Sequence, residues 1–257
     1  MATRTRSMRA RSTYRIDPNL ERFLATVRKR FEFSREEFAM LAEKMTTAAD
    51  FEAGDVMVEE GKRATHSSLL LEGYAARSKY TPNGERQIME FQIPGDFIDL
   101  HSYPLECLDH SITAVSDCTI VQLDHKDISD LIERHSRFAR IFWFATMTDA
   151  SIHREWILNL GSRGGVERVA HLLCEMYCRS EIVGLTDNHS FEFPVTQVQM
   201  GEALGFSAVH VGRLLRELHD RKLVTKDRKI VHLHDWPALQ ELAGFDPEYL
   251  YLQPRKG

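Results

Sequence analysis

Cysteine is scarce in this chain, and its four positions, Cys107, Cys118, Cys174 and Cys178, lack the paired close spacings of a zinc or iron–sulfur motif. Cys174 and Cys178 fall on one helical face, where packing is the economical role, and the expected compartment disfavours disulfides. Long apolar runs are also missing. No segment approaches membrane-spanning length, and the Arg-rich opening MATRTRSMRARS is not followed by the apolar stretch of a secretory signal. A cytoplasmic location with no membrane partner is therefore expected. The chain also has no phosphate-cradling glycine loop, strong metal motif or nucleophile arrangement, which argues against an enzyme and against a metal site.

What is present is an ordinary globular composition. The 257 residues are 43% hydrophobic and 28% charged with a formal charge of -5, enough to build two modest domains. The basic first dozen residues read as a tail, Pro18 opens a helix carrying Leu20, Phe23, Leu24 and Val27, and residues 35–45 form a second amphipathic helix. From residue 48 to 123 the texture changes to short alternating segments. Strands are expected at 56–59, 68–72, 75–80, 86–91, 111–114 and 119–123, with turns at Glu60-Gly61, Glu72-Gly73, Asn83-Gly84 and Pro94-Gly95. Many short antiparallel strands without βαβ crossovers imply an α+β chain built on a roll or partial barrel, taken as domain 1–135 with the preceding helices.

A long helix is expected from residue 136 to 159 or 160, ended by Gly161 and Gly164-Gly165. Phe138, Phe142, Ala145, Ile152, Trp156 and Asn159 approximate an alternating three-and-four repeat that Asp149 interrupts, while Ile141 and Trp143 widen the apolar surface. We read this as a dimerisation seam, with a buried intramolecular helix as the alternative. A further helix at 166–179 turns Val169, Leu172, Leu173 and Met176 inward, and 180–194 reads as irregular.

Residues 196–231 are the most informative stretch. TQVQMGEALGFSAVHVGRLLRELHDRKLVTKDRKIV predicts a helix at 197–204 that turns Val198, Ala203 and Leu204 inward, a reversal at Gly205, and a second helix capped by Ser207. Val211, Leu214, Leu215 and Leu218 give the second helix one apolar face, and a hairpin follows at 224–233. This is the pattern of a winged helix-turn-helix, placed in domain 161–257, whose second helix suits a DNA major groove. Between residues 196 and 234, seven Lys or Arg stand against four Asp or Glu, so the segment is locally positive. Trp236-Pro237 then opens a short helix, and Phe245, Tyr249 and Leu250 are expected to pack the tail back.

The order of roll, long helix and winged helix-turn-helix resembles the Crp/Fnr family of bacterial transcription regulators over nearly the whole chain. FEAGDVMVEEG from Phe51, GERQIMEFQIPGDFIDL from Gly84 and LGFSAVHVGRLLREL from Leu204 carry the resemblance. It implies a cyclic-nucleotide-binding-like roll and a homodimer that reads palindromic double-stranded promoter DNA, with RNA polymerase as a further partner. Family members that bind cyclic AMP use a Gly-Glu pair and an Arg-Ser or Arg-Thr pair, where this chain has Asp99-Leu100 and His110-Ser111, so cyclic AMP is not expected. Iron–sulfur members carry an N-terminal cysteine cluster, which is absent before Cys107. Haem is left open, with no spacing that singles out His66, His101 or His110. The resemblance places Glu72, Arg77, Asp96, Asp99 and His110 near an effector cavity, although the existence and identity of an effector stay open.

On the second helix Ala208, Val209, His210 and Arg213 are the candidate base readers. Arg213 has the fork for guanine, whereas Val209 stands where glutamate is common in the family and can offer only an apolar contact. The VHV pattern from Val209 resembles an alphaproteobacterial branch. Thr196, Gln197, Gln199, Ser207, Arg216, Lys226, Arg228 and Lys229 are candidates for the DNA backbone. The alternative reading is a cytoplasmic ligand-binding or protein-interaction protein with a non-functional DNA-binding domain.

Overall fold

A capping box opens the described chain: Ser34 Oγ accepts from the Glu37 N–H at 3.1 Å, and the Glu37 carboxylate accepts from the Ser34 N–H at 2.9 Å. The computed structural model describes residues 34–45 and 47–252. The basic opening and the helix expected from Pro18 lie outside the described residues.

Helix α1 (Arg35–Lys44) leads into strands β1 (Thr47–Phe51), β2 (Val56–Val58), β3 (His66–Glu72), β4 (Ala75–Tyr80) and β5 (Arg86–Gln92). A single helical turn, α2 (Ser102–Leu105), precedes β6 (Ser111–Ala114) and β7 (Cys118–Asp124). Two antiparallel sheets result, ordered β1-β7-β3 and β2-β6-β4-β5. The period of two in β3 distributes its leucines between two cores. Leu69 and Leu71 join Leu41, Ile128, Leu131 and Phe138 under the helices, whereas Leu70 joins Ala49, Ile112 and Ile120 inside the roll. Strand β1 and helix α3 (His125–Arg134) were not anticipated from the sequence.

Helix α4 (Arg137–Ser162) runs past Gly161, because glycine within a helix costs only about 1 kcal/mol and does not end it. It buries Phe138, Ile141, Phe142, Ile152, Trp156 and Asn159 within the protomer. This corrects the expected dimer seam: Phe138, Phe142, Ile152, Trp156 and Asn159 are already covered by their own chain, and Ala145 packs partly buried beside Phe142. The face left open carries Trp143, Met147, Ile157 and Leu158 instead.

Helix α5 (Gly165–Ile182) is followed by β8 (Thr186–Asp187), β9 (Ser190–Glu192), α6 (Gln197–Leu204), α7 (Ala208–Asp220), β10 (Val224–Asp227), β11 (Ile230–Leu233), α8 (Trp236–Ala243) and a 3-10 turn at Pro247–Leu250. The segment read as irregular thus supplies two strands, completing a sheet ordered β10-β11-β9-β8. Phe245 and Leu250 are buried and Tyr249 packs partly buried against the same core. One apolar cluster joins Ile88 and Phe91 of the roll, Ile152 and Trp156 of α4, and the interior of the C-terminal unit. Among the described residues no helix is long and apolar enough to cross a membrane.

Candidate nucleic-acid interface and cavity

Helices α6 and α7 form the candidate reading unit. Thr196 caps α6 in a second capping box with Gln199, and Gly205 ends it at φ 73, the left-handed conformation that glycine adopts without strain. Gly201 is required for a different reason, since a Cβ there would lie 2.3 Å from the Phe206 carbonyl oxygen. Arg168 of α5 braces the reversal, donating to the Leu204 carbonyl at 2.9 Å with its guanidinium 4.8 Å from the Phe206 ring centre. Ser207 Oγ accepts the His210 N–H at 3.2 Å and starts α7.

Val211, Leu214 and Leu218 anchor α7, as the spacing predicts. Val209, Arg213 and Arg216 point into solvent, Ala208 is half-buried, and the His210 ring rests edge-on against Phe206 at 4.8 Å. Val198 differs from expectation: it is exposed, and Met200 takes the inward position.

The candidate backbone contacts divide. Gln197, Ser207, Arg216, Arg228 and Lys229 are exposed. The Thr196 and Gln199 side chains are committed to each other, the Thr196 hydroxyl donating to Gln199 Oε1 at 3.0 Å. Lys226 departs most from its assignment, because its ammonium donates to the Phe193 carbonyl at 3.1 Å and to the Arg228 carbonyl, beneath the wing. These two bonds make it a brace for the hairpin rather than a group projecting toward phosphate, and burial lowers its pKa.

A cavity of about 450 Å³ lies between β4–β5 and α4. Arg77 and His110 line it, as the resemblance implied, but Glu72, Asp96 and Asp99 do not. Glu72 is exposed at the end of β3. Asp99 is buried beneath the backbone of Ser68, whose N–H and hydroxyl both donate to it, and burial pushes its carboxyl up to about 7. Asp96 turns the other way and accepts from Arg179 of α5 at 2.7 Å.

Sequence reasoning missed His101, Asp149 and His153, which complete the polar wall. Arg77 donates to Glu90 at 2.7 Å, to Asp149 at 2.8 Å and to the Ile98 carbonyl at 2.9 Å. Burial pushes the Glu90 carboxyl up, but Arg77, His153 and Arg179 together hold it well below the usual carboxylate range. Burial raises Asp149 to about 6 against the pull of Arg77. His153 Nε2 sits 3.2 Å from Glu90; burial opposes its protonation, and the carboxylate still raises its pKa. The network continues through Arg179 to Glu175, which also accepts from Trp156 at 3.1 Å and Tyr249 at 2.8 Å. Roll, long helix and C-terminal unit therefore share one set of buried charges.

Among the described residues no group of three or more His, Cys, Asp or Glu could hold a metal ion. Cys107 is exposed, Cys118, Cys174 and Cys178 are buried, and all four are free thiols.

Residues 49–135 match the cyclic nucleotide-binding domain and residues 167–242 match the Crp-like helix-turn-helix domain. The chain is 23% identical over 217 residues to the transcriptional activator protein FnrL of Cereibacter sphaeroides, covering 83% of this chain and 86% of that protein. It is 26% identical over 180 residues to the HTH-type transcriptional regulator ArcR of Staphylococcus aureus, covering 68% and 75%. The fold superposes on FixK2 from Bradyrhizobium japonicum with a TM-score of 0.71 at 22% identity, over 78% of this chain and 98% of that one. A cyclic-nucleotide-binding-like roll followed by a Crp-like helix-turn-helix gives this chain the architecture of the Crp/Fnr family of transcription regulators.

Proposed function

We propose that the protein is a cytoplasmic, sequence-specific transcription regulator that grips an inverted-repeat promoter site as a homodimer. The observation that carries this reading is the division of α7: Val211, Leu214 and Leu218 fasten it to the domain while Val209, Arg213 and Arg216 stand free. Arg213 supplies a bidentate donor for guanine, Val209 an apolar contact suited to a thymine methyl, and Ala208 and His210 the neighbouring edge contacts. Gln197, Ser207, Arg216, Arg228 and Lys229 set register through phosphates.

The open face of α4 supports the dimer. Trp143 is 68% exposed, Met147 50% and Ile157 71%, and with Ala150 and Arg154 they follow an alternating spacing of four and three residues, the seam of a paired helix. Two recognition helices placed by such a seam address half-sites one turn of DNA apart. Promoter occupancy then recruits or obstructs RNA polymerase.

The cavity beside α4 is the effector site in this reading. Cyclic AMP does not suit it, since Leu100 and His110 replace the family's ribose-binding carboxylate and phosphate-facing guanidinium. Selection of genomic fragments by the purified protein, at defined salt and without nucleotide, tests the proposal. Enrichment of an inverted repeat is expected, whereas binding that stays sequence-blind, with and without the cavity's ligands, would overturn it.

A further inference from the structure

The charges around the cavity are paired, and His110 Nε2 is a buried hydrogen-bonding atom with neither a hydrogen bond nor an ion pair. Arg77 uses four of its five N–H groups: Nε and Nη2 donate to the Ile98 carbonyl at 3.1 and 2.9 Å, Nη2 also to Asp149 at 2.8 Å, and Nη1 to Glu90 at 2.7 Å. His153 Nε2 lies at ion-pair distance from Glu90, 3.2 Å, without hydrogen-bond geometry, and Asp109 at the rim is paired with Lys79 at 3.1 Å. An entering anion would meet the Asp109 and Asp149 carboxylates and a guanidinium, Arg77, already engaged by Glu90 and Asp149.

His110 is different. It is 6% exposed; its Nδ1 lies 3.0 Å from Asp109 Oδ1, while its Nε2 is buried with no hydrogen-bond partner. A carboxylate at Nδ1 fixes the tautomer with the proton there, leaving the Nε2 lone pair as an acceptor. Burial pushes the His110 pKa down despite Asp109, which keeps the ring neutral. His101 stacks on it at 5.2 Å, and burial and Arg77 depress the His101 pKa to about 3. Ile88, Met89, Trp156, Ile157 and Leu160 supply the apolar wall. A buried acceptor without a partner is destabilising, and a ligand that donates to it recovers that loss.

We propose that this cavity takes an uncharged, largely apolar small molecule bearing one O–H or N–H group that donates to His110 Nε2, in place of an anionic nucleotide. Calling that molecule an effector rests on the regulatory reading above; its binding does not. The volume of about 450 Å³ falls within the range of about 300–1,000 Å³ of small-molecule sites.

The test titrates the full chain, without DNA, with two matched pairs, indole against 1-methylindole and benzyl alcohol against benzyl methyl ether, and with cyclic AMP. Binding is read by calorimetry and by the ¹⁵N resonance of His110 Nε2. Each donor is expected to saturate and move that resonance, and each methylated partner to bind at least about tenfold more weakly. His110→Phe should abolish the preference while the thermal melt stays cooperative; the resonance of the unaltered protein decides the matter if that variant does not fold. Equal binding within each pair, preferential binding of cyclic AMP, or no binding of any probe at millimolar concentration overturns the proposal. None of these outcomes bears on DNA selection, whose failure in the presence of a bound donor would sink the regulatory reading alone.

Discussion

Arg77 Nη2 donates to Asp149 Oδ2 at 2.8 Å, joining the middle of strand β4 to the middle of helix α4. Asp149 is the residue that breaks the apolar repeat of α4, and the bond explains the break. A helix crossing a buried guanidinium needs a carboxylate at the crossing, because neither charge is tolerated alone away from water.

Arg77→Met would therefore remove the guanidinium bonded to Asp149 and leave Glu90 with only His153 and Arg179. A loss of about 3–5 kcal/mol is expected in urea unfolding monitored by circular dichroism. Adding Glu90→Met should recover part of that loss, and a double variant no better than the single one would contradict the charge-balance account.

Asp99 predicts a pH dependence. Its folded pKa of about 7 stands above the ordinary 3.8, so its contribution is fully present below 3.8 and is lost as pH rises through about 7. Stability referred to Asp99→Asn should accordingly fall between about pH 4 and about pH 7. Urea midpoints of the two proteins that run parallel across that window would refute the assignment.

At the reading helix, Arg213→Ala should cost about 1–3 kcal/mol of discrimination between the selected half-site and a copy altered at one guanine. Lys229→Ala should instead weaken binding to all sequences alike and lower the salt slope by about 1. Fluorescence anisotropy at several salt concentrations separates the two behaviours.

The open face of α4 predicts the oligomeric state. Ile157→Glu places a charge on a residue that is 71% exposed in the protomer, so the melting of the isolated fold should barely change while sedimentation shifts from dimer to monomer. A variant that remains dimeric would move the interface elsewhere.

Gly201→Ala should loosen the helix-turn-helix without touching its surface. The added Cβ meets the Phe206 carbonyl at 2.3 Å, and the expected cost is about 1–3 kcal/mol, read as faster amide exchange in α6 and α7.

Local chemistry determined much of the C-terminal unit. Helix α6 has its expected bounds, and α7 and the 224–233 hairpin stand where Ser207, Gly205 and the apolar spacing put them, since each signal acts within about a dozen residues. Strand β9 escaped notice because its ladder partner β11 lies some forty residues on, with Ile230 facing Glu192, and the two-residue β8 pairs only with β9. Tertiary structure alone decided the cavity. The pairing of Tyr80 with Arg86 would, continued evenly, set Arg77 opposite Met89; a bulge between Arg77 and Ser78 sets it opposite Glu90. It also decided which stripe of α4 stays open, and that Lys226 turns under the wing. Those outcomes depend on what packs against a side chain, and burial, unlike a cap or a turn, is a property of the neighbours rather than of the residue.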